Sequence, residues 1–541
     1  MNAPELSADT RAEDTIRSVR RPDCRVQRRS LRIPVPELQS PDPAPDARAM
    51  AEPHHDGEAL AKAYDDVAYT SYPDPVSHPD RLATVATLMG LDVAPVATCR
   101  VLELACGDGA NLVPIASTLP NATFVGFDFA ANPIARAQRM ADDLGLTNIR
   151  LLQLDLREVP ADLGSFDYII AHGLYSWIPA EVRAHVLPLI ARHLAPKGIA
   201  FVSYNTLPGC HMRRAVWEML RYHTRDTAGM RAKVTAARSL LTMMSAPVAG
   251  ESGSQLAMRD EVRDALAGPD SKLAHDDMSE PNNPVYFHEF MADATRAGLS
   301  FLAEARLSSM MGTTLAPQVR QALRPLDRLA REQYLDFLYF RRYRESLLCH
   351  ADSSSRFVVQ PPRVMGMQVS ASLNLRRTSA TESAAPNADP ELRALKELLL
   401  ARWPESISAT ELVQWRERSV AAPAGGSGHR AVELLLSELY VAGLIELRTL
   451  PVAAAAVPGE RPRAFPAARW INREHEVIPS LYHEALRHQD PIGRQLLALL
   501  DGTRTREQLI AAIGGPFAEP GGRAKMDEVL ALLAQKALLV S

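Results

Sequence analysis

Residues 99–204 alternate between short apolar runs and amphipathic stretches, and no other feature constrains the fold as tightly. The runs are Arg100–Leu104, Ala122–Phe127, Ile149–Leu154, Phe166–Ala171 and Gly198–Tyr204. Helical patterns fill the gaps at Ala110–Thr118, Asn132–Leu144 and Ala180–Leu194. Runs of β type joined through helices close as parallel strands, because a parallel pair needs a long crossover and a helix supplies it. The prediction is an α/β fold with a Rossmann-like, doubly wound sheet.

The first run leads into Val101-Leu-Glu103-Leu-Ala105-Cys-Gly107-Asp-Gly109-Ala-Asn. A glycine turn after a buried strand lets backbone approach a bound cofactor where a Cβ would collide. A dinucleotide fingerprint aligned on Gly107 needs glycine at 105, 107 and 110, and finds it once. The S-adenosylmethionine pattern E/D-x-G-x-G-x-G needs 103, 105, 107 and 109, and only Ala105 departs from it. The later strand ends agree with the second pattern. Asp128 closes the second strand, placed to accept from ribose hydroxyls. Asp155, with Leu156 after it, closes the third, placed beside an adenine amine. His172, Tyr175 and Trp177 follow the fourth, and Tyr204 and Asn205 end the fifth. In open α/β sheets ligands sit at these carboxyl ends.

The rest of the chain of 541 residues divides by composition. Residues 1–57 read as a disordered tail rich in Pro and Arg, with seven arginines against Asp23 over 16–33. Residues 58–212 hold the alternating unit and 213–349 a mostly helical middle domain. Residues 350–391 read as a linker with one strand at Met365–Leu375, and 392–541 as a C-terminal domain. Helices at Leu392–Trp403, from Ser408 and at Arg430–Ala442, then Gly443-Leu-Ile-Glu-Leu-Arg, outline a winged helix; a weaker helix set follows at 491–533. The net charge of -4 excludes a globally basic nucleic-acid coat. Five cysteines without a C-x-x-C pair argue against a disulfide or cysteine-rich zinc scaffold, and for a reducing, cytoplasmic location. No apolar run approaches the ~18 residues of a membrane span. His288-Glu-Phe-Met-Ala292 lacks the second histidine of H-E-x-x-H, and no Gly-Lys pair offers a P-loop, so no metal site is expected.

Beyond the turn, subgroup blocks stand at His78-Pro-Asp-Arg-Leu-Ala-Thr, Asp167-Tyr-Ile-Ile-Ala-His-Gly-Leu-Tyr-Ser-Trp177, Val202-Ser-Tyr-Asn-Thr-Leu-Pro-Gly209, Asn283-Pro-Val-Tyr-Phe-His-Glu-Phe290 and Leu499-Leu-Asp-Gly-Thr-Arg504. With these the chain resembles class I S-adenosylmethionine-dependent methyltransferases that carry a methyltransferase regulatory domain and a C-terminal winged helix. The rickettsial outer-membrane-protein lysine methyltransferases share that organisation. The resemblance implies S-adenosylmethionine as cofactor and methyl transfer, foremost to protein lysine side chains. Two positions depart from it: Ala105 replaces a family glycine, and Cys210 stands where an aromatic is expected.

The expected cofactor contacts are Glu103, Ala105, Gly107, Gly109, Asp128, Asp155, Leu156, His172 and Tyr72, with Tyr64 and Tyr69 as further lid candidates. The expected acceptor contacts are Tyr175, Tyr204, Trp177 and Asn205, whose rings suit an ammonium group. A protein substrate is the leading partner. Two alternatives stay open: a small-molecule acceptor, and a catalytically silent cofactor-binding regulator. No nucleic-acid partner is expected, and the oligomeric state is not specified by the sequence.

Overall fold

A computed structural model describes residues 71–279, 281–353, 358–378, 390–419 and 428–541, all within the unit spanning 53–541. The expected tail at 1–57, Tyr64 and Tyr69 lie outside the described residues.

Seven strands form the main sheet, in the order β3-β2-β1-β4-β5-β7-β6. They are β1 Arg100–Leu104, β2 Thr123–Asp128, β3 Ile149–Gln153, β4 Phe166–Ala171, β5 Leu194–Asn205, β6 Leu299–Glu304 and β7 Tyr343–His350. The first five are parallel, as the alternation predicts. Val101, Leu102 and Leu104 of β1 are fully buried, which is why this strand reads as an apolar run broken only by Glu103. The sheet order reverses between β1 and β4, so a crevice opens over their carboxyl ends.

The middle region is less helical than its sequence predicts. Helices Cys210–Thr224, Met230–Met244 and Gly253–Ala267 form a lobe with its own core around Leu220, Leu241 and Leu273. The chain then returns to the sheet. Strands β6 and β7 pair antiparallel with each other, and β7 pairs antiparallel with β5. Sheet pairing therefore crosses the expected boundary at 212.

The expected linker holds β8, Gln368–Ala371, inside a three-stranded sheet with β9, Ile407–Ser408, and β10, Ile445–Arg448. Helices Pro390–Arg402, Ala409–Ser419 and Gly428–Val441 pack with it, and their core is continuous with that of the main sheet. The last segment builds a second core around Phe465, Leu497 and Leu530, which takes in Val113 and Met140 from helices Leu112–Thr118 and Ala131–Asp143. The C-terminal region thus sits directly on the helices that follow the glycine turn. Among the described residues no helix is long and apolar enough to cross a membrane.

Candidate active site

Chain geometry after β1 sets the site. Ala105, Gly107 and Gly109 have φ of 53°, 54° and 73°, so three left-handed residues curl the backbone over the strand end. A Cβ on Gly109 would lie 2.8 Å from Val113 Cγ2 and 2.9 Å from Ala137 Cβ, so only glycine lets the turn rest on both helices. The Cys106 amide donates to Phe127 O (2.9 Å) and the Gly107 amide to Asp128 Oδ2 (3.1 Å), tying the turn to β2. Ala105 is the one non-glycine among the three left-handed positions, which costs roughly 1 kcal/mol. Ala105→Gly is therefore expected to leave stability unchanged or raise it by up to about 1 kcal/mol, since glycine's extra unfolded-state entropy offsets part of the relief. Chemical denaturation of the two proteins checks this; a loss above 1 kcal/mol would contradict a strained turn.

The pocket beneath the turn is acidic. Glu103 is 3% exposed, accepts from Asn111 Nδ2 at 2.7 Å through Oε1, and leaves Oε2 buried without a hydrogen-bond partner. Burial pushes its carboxyl up to about 8, reinforced by the nearby charges of Asp74, Asp108 and Asp128. A second buried carboxylate oxygen, Asp74 Oδ2, also lacks a hydrogen bond. Asp128 is pushed up by burial and held back by the amides of Ala130 and Gly107. The Leu154 amide donates to Asp128 O (2.9 Å), which brings the end of β3 against the end of β2. Asp155 follows there, partly exposed, and Arg157 beside it (2.6 Å) holds its carboxyl below the usual range. Leu156 is buried next to it. Tyr72 is exposed, and its neighbour Ser71 places Oγ 3.3 Å from where a Gly107 Cβ would stand. Two buried carboxylate oxygens that make no hydrogen bond, among further acids, suit a cationic ligand. The residues present therefore fit S-adenosylmethionine, which carries an ammonium and a sulfonium.

Across the crevice, His172 Nδ1 lies 3.3 Å from Ser203 Oγ and 3.4 Å from Asp74 Oδ2. The Gly173 amide donates to the same Ser203 hydroxyl (2.9 Å). Tyr343 stands opposite Asn205 on β7 and is exposed. Asp276, on the helical lobe, is raised to about 6 by burial and by Asp277. Asp74 thus links the two sides: its amide donates to Asn111, which holds Glu103, and its Oδ2 lies against His172.

Tyr175 and Tyr204 are placed differently from the sequence expectation. Side chains alternate along a strand, so if Ser203 faces the crevice, Tyr204 faces away. Tyr204 is 1% exposed, stacks on Phe290 at 4.1 Å and meets Ser346 Oγ at 3.1 Å. Tyr175 is equally buried, edge-on to Phe290 at 5.2 Å, with its hydroxyl donating to Asp293 (3.3 Å). The Asn205 amide donates to Ser176 Oγ, its carbonyl accepts from Val285, and the Trp177 amide closes a turn on Leu174 O. These contacts brace the β4 and β5 ends against 283–290 and turn Tyr175 and Tyr204 onto Phe290, while Asn205 shares the strand face of Ser203. Cys210 is buried, with its thiol on Arg342 O (3.0 Å). The sequence did not single out Asp74, Asn111, Ser203 or Tyr343. Strand alternation could have exposed Ser203; the others depend on pairings distant in the chain.

A doubly wound sheet with a glycine turn after β1 and acids at the ends of its first three strands defines an S-adenosylmethionine-dependent methyltransferase. Residues 101–198 match the family described as "Methyltransferase domain". Residues 269–350 match "Predicted methyltransferase regulatory domain", and 460–519 match "PKMT, C-terminal winged helix domain". The winged-helix match falls beyond the outline drawn from the sequence at 392–448, toward the second helix set. An uncharacterized protein of Rickettsia prowazekii is 37% identical over 291 residues, 53% of this chain and 53% of that one. The aligned part therefore spans about half the length of that relative. Another from the same organism is 31% identical over 241 residues, 44% of this chain and 96% of that one. The fold is similar to that of PKMT2 from Rickettsia typhi in complex with AdoHcy, with a TM-score of 0.77 at 22% identity over 87% of this chain and 100% of that one. The chain belongs to the S-adenosylmethionine-dependent methyltransferases that carry a methyltransferase regulatory domain and a PKMT-type C-terminal winged helix. Its cofactor is S-adenosylmethionine.

Proposed function

We propose that this protein methylates lysine side chains of protein substrates. The observation that carries the proposal is Asp74: a buried carboxylate with an oxygen that makes no hydrogen bond, set between Asn111, which holds Glu103, and His172 at 3.4 Å. Such a group recognises an incoming ammonium. Asp276 adds negative charge from the opposite lobe, and the side chain of Tyr343, 40% exposed, gives the acceptor a surface to approach along. The PKMT label of the winged-helix family and of the similar solved structure supports a protein acceptor.

Glu103 receives the cofactor's amino group through its open oxygen, Asp128 the ribose hydroxyls and Asp155 the adenine edge. When bound, S-adenosylmethionine supplies an electrophilic methyl on a cationic sulfur. The chain's part is to hold the acceptor in line. A lysine amine must also lose a proton, which at pH 7 costs about 4.6 kcal/mol from a reference pKa of about 10.4. Asp74 and Tyr343 orient the amine, and the exposed side of the cleft lets its proton pass to water. Positioning carries most of the rate in such a transfer.

Purified protein with methyl-labelled cofactor and cell lysate tests the proposal. Label is expected in protein, recovered after hydrolysis as methyl-lysine. Asp74→Asn is expected to lower kcat/KM for that acceptor by about 10-fold or more, the scale of one buried charge-assisted contact. Label confined to the small-molecule fraction would overturn the proposal.

A further inference from the structure

The cofactor pocket is completed by a residue 372 positions beyond the glycine turn. Strands β11, Val477–Pro479, and β12, Ala485–Arg487, form a hairpin within the segment that matches the PKMT winged-helix family. Its tip carries His483, which is 3% exposed with φ at 62°. The amides of His483 and Ser480 hold that turn, donating to Ser480 O (2.8 Å) and Glu484 O (2.9 Å). A left-handed backbone at a non-glycine residue is strained, and persists only where the surroundings require it.

His483 Nε2 lies 2.8 Å from Asn111 Oδ1. The same oxygen accepts the Asp74 amide at 3.0 Å, so it is the carbonyl end of the side chain. His483 Nε2 must then be the donor, which fixes the tautomer. The other end of Asn111, Nδ2, donates to Ser77 Oγ (3.1 Å) and to Glu103 Oε1 (2.7 Å). Burial, with the charges of Arg448 and Arg81, keeps the imidazole neutral by lowering it to about 3. The T-shaped contact with His78, 5.7 Å between ring centres, holds the ring in place.

We propose that His483 is a positioning residue for cofactor binding: by holding Asn111 it keeps one oxygen of Glu103 engaged and turns the other into the pocket. The winged-helix region is then part of the cofactor site. A second contact on the turn agrees. Arg136 pairs with Asp108 inside the turn and with Glu474 of the C-terminal region (3.0 Å), and lies over Trp470 at 5.3 Å. The inference rests on the reading that Glu103 receives the cofactor's amino group.

The test uses the full chain, with S-adenosylhomocysteine as the calorimetric probe and S-adenosylmethionine in the assay. His483→Phe keeps a ring against His78 but has no donor. It is expected to weaken probe binding about tenfold, the usual scale for stranding one buried acceptor, and to raise the cofactor KM with kcat nearly unchanged. His483→Gln restores a donor and is expected to recover most of the loss. Tyr482→Phe, on the same hairpin but bonded to Pro404 O (2.7 Å), controls for general loosening of the region. In a double-mutant cycle, His483→Phe and Glu103→Gln are expected to be non-additive, because one acts through the other. Additive losses, or equal weakening by Tyr482→Phe, would overturn the inference. So would unchanged binding by His483→Phe while Glu103→Gln loses affinity. Normal binding by Glu103→Gln would instead remove the reading beneath it. Should His483→Phe not fold, His483→Leu, which also lacks the donor, takes its place in the cycle.

Discussion

Glu103→Gln is expected to lose cofactor affinity by about 10²- to 10³-fold, the range for removing one partner from a buried charge pair. The substitution keeps the shape and an oxygen for Asn111 Nδ2, but removes the charge at the unpartnered position. The pH dependence follows from the same environment. In the free protein the carboxyl stands at about 8, so at pH 7 it is mostly protonated. A cationic ligand needs the ionised form, and binding therefore releases a proton. Affinity is expected to strengthen as pH rises toward 8, and calorimetry in buffers of differing ionisation enthalpy reads the proton directly. Stability has the opposite sign. A carboxyl whose folded pKa is raised from 4.5 to about 8 stabilises the fold below 4.5. That contribution fades as pH rises between the two values and is gone above 8, a difference of at most about 5 kcal/mol. Free Glu103→Gln protein should thus melt at least as high as the parent at pH 8.5, while binding cofactor far more weakly. A variant that melts much lower there would show that Glu103 serves packing and not the ligand.

The strand ends that form this pocket were legible because parallel strands buried on both faces leave unbroken apolar runs. Tyr168–Ala171 is of this kind, and Val101–Leu104 departs from it only at Glu103. Strand β7 hid itself: Tyr343-Arg344-Glu345 reads as a polar surface, yet Arg344 is fully buried and Glu345 nearly so. Burial there depends on charges contributed by β6 and by helix Arg328–Tyr339, which local pattern does not reveal. The aromatic pair at 175 and 204 failed for a smaller reason. Tyr204 ends β5, where a period of two gives the facing position to Ser203, and Tyr175, four residues past β4, turns inward onto Phe290. His483 was beyond sequence reasoning altogether. Its partner is an asparagine after the first glycine turn, 372 positions away in the chain.

Replacing Arg344 by leucine is expected to cost about 3–5 kcal/mol of stability, because it strands acids and not because it removes volume. The guanidinium donates to Glu304 Oε1 (2.5 Å), to Asp336 (2.8 and 2.9 Å) and to Glu332 (3.3 Å to Oε2), and lies 3.9 Å over the Phe287 ring. Arg341 also reaches Asp336, at 3.3 Å, so two cations serve three buried carboxylates. Burial and the charges of Glu304 and Asp336 already raise Glu332 to about 7 even with Arg344 in place. Without that cation Glu332 and Asp336 rise further. Each then favours its protonated form, and the variant's deficit becomes a function of pH. It should be greatest at pH 8, where the unfolded chain keeps its acids ionised at no cost, and shrink toward pH 5 as protonation neutralises the cluster. The cluster also anchors the strand that presents Tyr343, since Glu304 accepts from Ser346 Oγ (2.8 Å) and from the Glu345 amide (3.0 Å). Methyl transfer should therefore fall together with the thermal midpoint and recover with it at lower temperature. Denaturation midpoints of parent and variant at pH 5, 6.5 and 8 measure the effect. A deficit that stays constant across that range would mean that lost packing against Phe287, and not stranded charge, sets the cost.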